Sequence, residues 1–315
     1  MRVRVRKLTW LAFLSVVLFS VTITAFAQEP NPNKPPDAAD KPAAAGSNAD
    51  ALRKAAQNPV ASLISVPVQE NWNFNIGPND RIQNVLNVQP VIPINLTQNW
   101  NLIVRWITPI IYQPLGVSTP PPPSGPDFAL SANATAAAAE PNQGVYGFGD
   151  MQPAFFFSPK KGKVIWGVGP QFLLPTATRT GILGQGKFGI GPTAVVLVQP
   201  GKWTVGFLIN NVWSVAGHPE LPNVNQFLLQ YFINYNLPKG YYLTWQPTIT
   251  ANWEATNGGR WVVPLGGGIG RIMRLGAQPV NLGLQFYGNA VHPPLGSPWS
   301  MRLQIAFLFP KKPNG

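Results

Sequence analysis

Apolar and polar residues alternate along the stretch 299–309, which reads WSMRLQIAFLF. Arg302 and Gln304 share one parity, and the other parity is apolar and holds Met301, Leu303, Ile305, Phe307 and Phe309. A period of two over this length predicts a β-strand with one apolar face and one wetter face.

The same alternation recurs upstream between turn signals such as Gly-Pro-Asn-Asp at 77–80 and Pro-Lys-Gly at 238–240. It predicts eleven earlier strands, over residues 62–76, 82–96, 100–112, 147–158, 163–175, 187–199, 203–215, 226–236, 241–253, 261–273 and 280–290. Twelve antiparallel strands are an even number, as expected for an outer-membrane barrel. The fold predicted is all-β, a transmembrane up-and-down β-barrel of about twelve strands behind a disordered leader.

The predicted connections differ in length from one end of the barrel to the other. Those at 97–99, around Lys160, Lys202 and Lys239, and at 274–276 are short, whereas 113–146 and 216–224 are long. With both termini in the periplasm, the short turns face the periplasm and the long loops face outward. We interpret 113–146 as a surface loop, and the alternative that it folds into the barrel and narrows it stays open.

The first residues predict export. Four basic residues at 2–7, an apolar run over 8–19 and Ala-Phe-Ala at 25–27 make residues 1–27 a signal peptide, with an uncleaved anchor helix as the alternative. Residues 28–58 are rich in Pro, Ala, Asn and Asp and predict a flexible periplasmic leader before a barrel over 59–311. The location predicted is the outer membrane of a Gram-negative cell, with the last strand read by the barrel-assembly machinery.

The amino-acid composition narrows the classes of partner that we expect for this protein. The chain has no cysteine, which excludes disulfides, and only 11% of its residues are charged. Its net charge of +12 falls to +8 without the signal peptide, because 19 Lys and Arg then face 11 Asp and Glu. No dense basic cluster follows the signal, so we expect membrane lipids and small solutes as partners rather than nucleic acid. Trp and Tyr near strand ends, such as Trp100, Trp203 and Trp299, fit interfacial girdles.

The face opposite the apolar one consists mainly of Asn, Gln, Thr, Ser and Gly. Its candidate lumen charges are Arg105, Asp150, Lys187 and Arg302. Charges inside a membrane protein predict a functional network or constriction, although salt bridges at the rims are the alternative. A mostly neutral lining argues against strong ion selectivity.

The histidines and the serine motifs do not indicate a catalytic site. His218 and His292 are the only histidines, no G-x-S-x-G is present, and we predict no catalytic residue, cofactor or metal site.

The alternative fold is a soluble β-sandwich or propeller, whose strands also alternate and which would explain the prolines inside predicted strands. In a barrel these residues should mark bulges or irregular ladders: Pro90, Pro93, Pro109, Pro153, Pro170, Pro192, Pro247 and Pro264.

Several segments resemble one family of bacterial envelope proteins. They are NPVASLISVPVQENWNFNIGPND, VLNVQPVIPINL, GFGDMQPAFFFSPKK, WGVGPQFLLPTAT, GKFGIGPTAVVL and MRLQIAFLFPK. Over about 58–311 the chain resembles the phenol-degradation meta-pathway outer-membrane family, whose members are also labelled "transporter" or "neuromedin U". The resemblance implies a barrel that moves small hydrophobic or aromatic compounds, and it supplies no catalytic residues.

The function predicted from the sequence is therefore a passive outer-membrane channel for small solutes. A structural or adhesive surface barrel with a plugged lumen is the first alternative, and an outer-membrane enzyme is the second. The sequence leaves the solute and the oligomeric state open.

Overall fold

A computed structural model of the chain describes residues 51–114, 144–255 and 258–310. The predicted signal peptide, most of the predicted leader and residues 115–143 of the predicted loop lie outside the described residues.

The described residues are organised as β-strands around a ring. The strands are β1 (Ile64–Ile76), β2 (Arg81–Val88), β3 (Val91–Asn95), β4 (Trp100–Pro114), β5 (Gly144–Phe148), β6 (Gln152–Pro159), β7 (Ile165–Leu173), β8 (Lys187–Val198), β9 (Trp203–Gly217), β10 (Asn225–Asn236), β11 (Tyr241–Trp245), β12 (Thr248–Asn252), β13 (Trp261–Leu275), β14 (Gln278–Val291) and β15 (Trp299–Phe309).

Three pairs of these strands each form one interrupted wall strand. β2 and β3 are separated at Gln89 and Pro90, β5 and β6 at residues 149–151, and β11 and β12 at Gln246 and Pro247. Counted this way, each wall strand pairs antiparallel with its neighbours in the chain. The prediction of an all-β, twelve-strand antiparallel barrel is confirmed.

The barrel closes where the last strand meets the first. β15 pairs with β1 continuously from Ile64 opposite Phe309 to Phe74 opposite Trp299. This pairing satisfies the edges that both strands would otherwise expose, so the described wall has no free edge.

The two ends of the barrel differ in their connections. We call the end where β1 begins and β15 ends the near end, and the opposite end the far end. The near-end turns cover 96–99, 160–164, 199–202, 237–240 and 276–277. The far-end connections include longer segments at 174–186, 218–224 and 253–260. Among the described residues, no helix is long and apolar enough to cross a membrane.

Side chains alternate between a buried inner face and an apolar outer face. On β15, Leu303 is 42% exposed and Phe307 38%, whereas Arg302 and Leu308 on the other parity are 5% and 1% exposed. Aromatic pairs mark both rims, with Trp100–Trp166 and Trp203–Tyr235 at the near end and Phe74–Trp299, Tyr112–Tyr146 and Trp253–Trp261 at the far end. An apolar belt between two aromatic rims is the surface that a bilayer matches.

The prolines divide into two groups. Pro90 and Pro247 lie in strand breaks, and Pro264 lies at a register shift, as predicted. Pro109 lies where the pairing of β4 passes from β6 to β5, Pro153 and Pro170 border the sparsely paired β6–β7 ladder, and Pro192 falls in a gap of the β8–β9 ladder. The prediction is wrong for Pro93, which pairs regularly with Ile103. Pro170 and Pro192 oppose each other, an arrangement that suits a non-hydrogen-bonded position, where the ladder needs no N–H.

One acidic side chain interrupts the outer apolar face. Glu70 shares the parity of Val68 and Trp72 on β1, and it lies between Leu86 on β2 and Leu303 on β15. Asn84 Nδ2 donates a hydrogen bond of 3.3 Å to its carboxylate. The pair brings polar groups to a belt that is otherwise suited to hydrocarbon.

Replacing Glu70 by Leu should stabilise the barrel in lipid vesicles by about 1 kcal/mol, because outward-facing carboxylates are unfavourable near the middle of a bilayer. Urea unfolding followed by tryptophan fluorescence measures the change. Glu254→Leu, in a far-end connection, is the control and should shift stability by less than about 0.5 kcal/mol. A Glu70→Leu barrel less stable than wild type would contradict the lipid-facing assignment.

Candidate functional site

The lumen holds a chamber of about 130 Å³. Its walls are mainly amide side chains, with one arginine and a few apolar groups, and part of the segment 56–59 closes one side. The lining residues are Ala56, Gln57, Asn58, Pro59, Ser65, Pro67, Gln69, Gln89, Val91, Arg105, Leu208, Gln230, Phe232, Tyr242, Gln246, Asn281, Gln285 and Gln304.

A chain of hydrogen bonds runs across four neighbouring wall strands of this chamber. Arg105 Nη2 donates to Gln89 Oε1 at 2.9 Å, and Gln89 Nε2 donates to Gln69 Oε1 at 2.7 Å. Gln69 Nε2 in turn donates to Gln304 Oε1 at 2.7 Å. Gln89 and Gln69 each use both the amide oxygen and the amide nitrogen in this chain, which fixes the orientation of these two side chains, and Gln304 accepts through its oxygen.

Arg302 joins three other parts of the wall. Its Nε donates to Asn71 Oδ1 at 3.0 Å, and its Nη1 donates to Gln285 Oε1 at 3.3 Å and to the Gln246 carbonyl at 3.4 Å. Its guanidinium carbon lies 5.0 Å from the centre of the Tyr287 ring. Gln246 lies in the break between β11 and β12, where its carbonyl can turn to the lumen.

Polar contacts hold the segment 51–61, which we call the near plug, inside the near end. Residues 51–56 are helical. Gln57 Nε2 donates to Asn236 Oδ1 at 2.9 Å, and Thr204 Oγ1 donates to Gln57 Oε1 at 2.9 Å. Gln199 Nε2 donates to the Lys54 carbonyl at 2.9 Å. The helix therefore uses partners from the wall as well as its own hydrogen bonds.

Apolar contacts complete the near plug. Val60 packs in a buried cluster with inward residues that include Ile103, Phe156, Leu208 and Phe232. Ala61, Leu52 and Ala56 pack in a second cluster with Ala306 and Leu308 of the closing strand. These residues fall at the end of the segment predicted as leader and at the start of the predicted barrel, and here they fill the near end of the lumen.

The connection 174–186, which we call the far-end loop, folds into the opposite end of the lumen. Leu183 is fully buried against Val85 on β2 and Ile111 on β4, both on the inward face. Ala177 and Ile182 pack against the same cluster. The chamber thus lies between the near plug and the far-end loop.

Asp150 fastens the far-end loop at two points. The amide N–H of Ala177 donates to Asp150 Oδ1 at 3.1 Å, and that of Gln185 donates to Oδ2 at 2.6 Å. Gly184 packs so closely that an added Cβ would clash with Asp150 Oδ1. A buried carboxylate that accepts two backbone N–H groups orders the chain on either side of it.

The four charges predicted from the sequence lie in separate places. Arg105 lines the chamber, and Arg302, on the inward face of β15, donates to the carbonyl of the lining residue Gln246. Asp150 holds the far-end loop, and Lys187 Nζ donates to the His218 carbonyl at 2.6 Å beside that loop. Arg105 and Arg302 thus belong to the region of the chamber, and Asp150 and Lys187 belong to the far end.

Sequence reasoning missed the glutamines that connect Arg105 to the closing strand. Gln69 and Gln304 follow from strand parity, since both lie on the wetter faces of their strands. For Gln89 the sequence offers a weaker indication of its role, namely the proline that follows it and interrupts the strand.

The histidines have local partners. His218 Nδ1 lies 2.9 Å from Glu220 Oε1, and His292 Nδ1 lies 2.9 Å from the Pro293 carbonyl. The pKa of the Glu220 carboxyl is lowered by hydrogen bonding to its own backbone N–H and, to a smaller extent, by His218. In the part of the chain that the structure describes, no hydrogen bond links either histidine to a serine, and no cluster of three His, Cys, Asp or Glu residues is positioned to hold a metal ion.

Comparisons with known proteins place this geometry in a fold. Neither a protein-family model nor a curated protein matches the chain. The structure is similar to that of the COG4313 outer membrane channel from Pseudomonas putida F1, with a TM-score of 0.54 and 14% identity over 78% of this chain and 94% of that chain. The fold is that of an outer-membrane β-barrel.

Two further similarities are weaker. Outer membrane phospholipase A from Escherichia coli gives a TM-score of 0.40 at 10% identity, over 78% of this chain and 92% of that one. A porin gives 0.35 at 10% identity, over 78% of this chain and 99% of that one. At these scores neither carries an argument about this barrel.

Replacing Asp150 by Ala should release the far-end loop. Two backbone N–H groups, one buried and one partly buried, lose their acceptors at a cost of about 2 kcal/mol or more, so cleavage by trypsin after Arg179, an exposed residue of this loop, should accelerate by roughly tenfold or more. Limited proteolysis of the purified barrel measures the rate. Asp80→Ala, in the exposed β1–β2 turn, is the matched control and should leave the rate unchanged. Equal cleavage of both variants would show that Asp150 does not hold the loop.

Proposed function

We propose that this protein is a channel of the Gram-negative outer membrane that admits small solutes through the chamber. The observation that carries the proposal is a closed barrel with an apolar belt outside and an amide-lined chamber inside. Apolar residues outside match lipid, and polar residues inside match water and polar solutes.

The same proposal assigns an orientation and a route of assembly. The near end faces the periplasm, since outer-membrane barrels have short periplasmic turns and longer outer loops. After export and cleavage of the signal peptide, the barrel-assembly machinery reads the last strand, Trp299–Phe309. Its outward residues are Met301, Leu303, Ile305, Phe307 and Phe309, the set predicted from the sequence.

The family resemblance extends the proposal to the solute. Members of the phenol-degradation meta-pathway outer-membrane family are expected to move small hydrophobic or aromatic compounds. The presence of Val91, Leu208 and Phe232 in the chamber supports the same choice.

A second function is favoured by a specific observation. The near plug and the far-end loop occupy both ends of the lumen, as a structural or adhesive barrel with a plugged lumen would require. The two functions differ in one property, since only a channel passes steady current through the unaltered chain.

Single-channel recording in planar bilayers tests both functions. The wild-type mature chain should give small, steady currents, because the near plug and the far-end loop occupy the two ends of the lumen. Deleting residues 51–60 removes the near plug and should raise the conductance by roughly twofold or more. Deleting residues 41–50 is the control of equal length and should leave the conductance unchanged.

Two other results would decide against the channel. Current in the deletion of 51–60 but not in wild type would favour the plugged structural barrel. The absence of current from both, with each protein folded as judged by a heat-modifiable gel shift, would reject a conducting role altogether.

A further inference from the structure

We infer that the chamber selects small organic monoanions with an apolar body. This inference rests on the proposed function, because it names the class of solute that the chamber favours. The size of the chamber, the distribution of its polar groups and the sign of the charge in its lining support this class of solute.

The volume limits the solute to a small molecule. A cavity needs a volume of about 10–15 Å³ to hold one buried water molecule. The chamber volume of about 130 Å³ therefore accepts roughly ten water-sized groups. A compound with about nine non-hydrogen atoms fills the chamber, whereas an oligosaccharide or a phospholipid exceeds it.

The lining has a polar side and an apolar side. The polar side is the chain of Arg105, Gln89, Gln69 and Gln304, which spans β4, β2 and β3, β1, and β15. Val91, Leu208 and Phe232 belong to the buried apolar cluster around Val60, so the apolar side of the lining lies toward the near plug. A solute with one polar end and one apolar end therefore meets a matching surface at each end.

The sign of the charge is positive on the polar side. Arg105 is half-buried and lines the chamber, and among the described lining residues there is no Asp or Glu. Arg302, also on the inward face, adds a second positive charge beside the chamber, where it donates to the Gln246 carbonyl and to the Gln285 side chain. Glu70, the acidic residue within the neighbouring wall strands, has the outward parity and does not offset these charges from inside.

Position and chemistry together specify how a carboxylate would bind. A guanidinium suits a carboxylate because its planar N–H donors match the two oxygens. The amide nitrogens of Gln89 and Gln69 each carry a second N–H besides the one that donates along the hydrogen-bond chain. A primary ammonium group of the same size would meet like charge at this point and should be disfavoured.

Isothermal titration of the purified, folded barrel with three probes of similar shape tests the inference. The probes are benzoate, neutral benzamide and benzylammonium. Benzoate should bind at least roughly tenfold more tightly than benzamide, and benzylammonium should bind more weakly than both. Arg105→Gln should remove the preference for benzoate over benzamide while leaving benzamide affinity within about twofold.

Two variants control for structure. Arg105→Lys keeps the positive charge and should keep a preference for benzoate, which a purely structural role of the guanidinium would not require. Arg271→Gln removes an arginine on the outer face, 4.6 Å from the Tyr241 ring, and should change none of the affinities. A heat-modifiable gel shift verifies that each variant is folded.

Three results would overturn the inference: equal affinity for benzoate and benzamide, tighter binding of benzylammonium, or no binding of any probe. None of them bears on conduction, which the bilayer recordings measure without a ligand. Conversely, if the barrel binds benzoate through Arg105 but passes no current, the anion site is supported and the channel function is contradicted.

Discussion

Closure of the wall between β15 and β1 is the constraint on which the rest of the structure depends. In hydrocarbon an unpaired backbone N–H or carbonyl has no alternative partner, so a spanning sheet must leave no edge. The continuous pairing from Ile64 opposite Phe309 to Phe74 opposite Trp299 meets this requirement. It also fixes which residues face each other across the first and last strands, including Gln69 and Gln304.

A closed barrel of this size encloses a lumen that the side chains of the wall only partly fill. The near plug and the far-end loop, which are not wall strands, occupy the two ends of this lumen. Val60 enters an apolar cluster at the near end, and Leu183 enters another at the far end. Between these two apolar clusters, the inward-facing amide side chains and Arg105 surround the small polar chamber. The chamber is therefore bounded by chain segments as well as by strands, and its dimensions depend on both.

Irregular positions in the wall provide polar groups to the same space. Gln89 lies where β2 gives way to β3, and its side chain links Arg105 to Gln69. Gln246 lies where β11 gives way to β12, and its carbonyl accepts from Arg302. A proline follows each of these glutamines, and it contributes no N–H to the ladder. The strand breaks that first argued against a barrel thus help to build its interior.

The sequence by itself determined the twelve wall strands and the inward parity of Arg105 and Arg302, because a period of two is a local property of the chain. It could not show that 51–61 and 174–186 enter the lumen, since their contacts are to wall strands distant in sequence. Only the tertiary structure brought Gln69 to Gln304, 235 residues apart. Closing the ring makes these two strands neighbours, and it separates Asp150 and Lys187 from the chamber by depth, which alternation along a single strand does not specify.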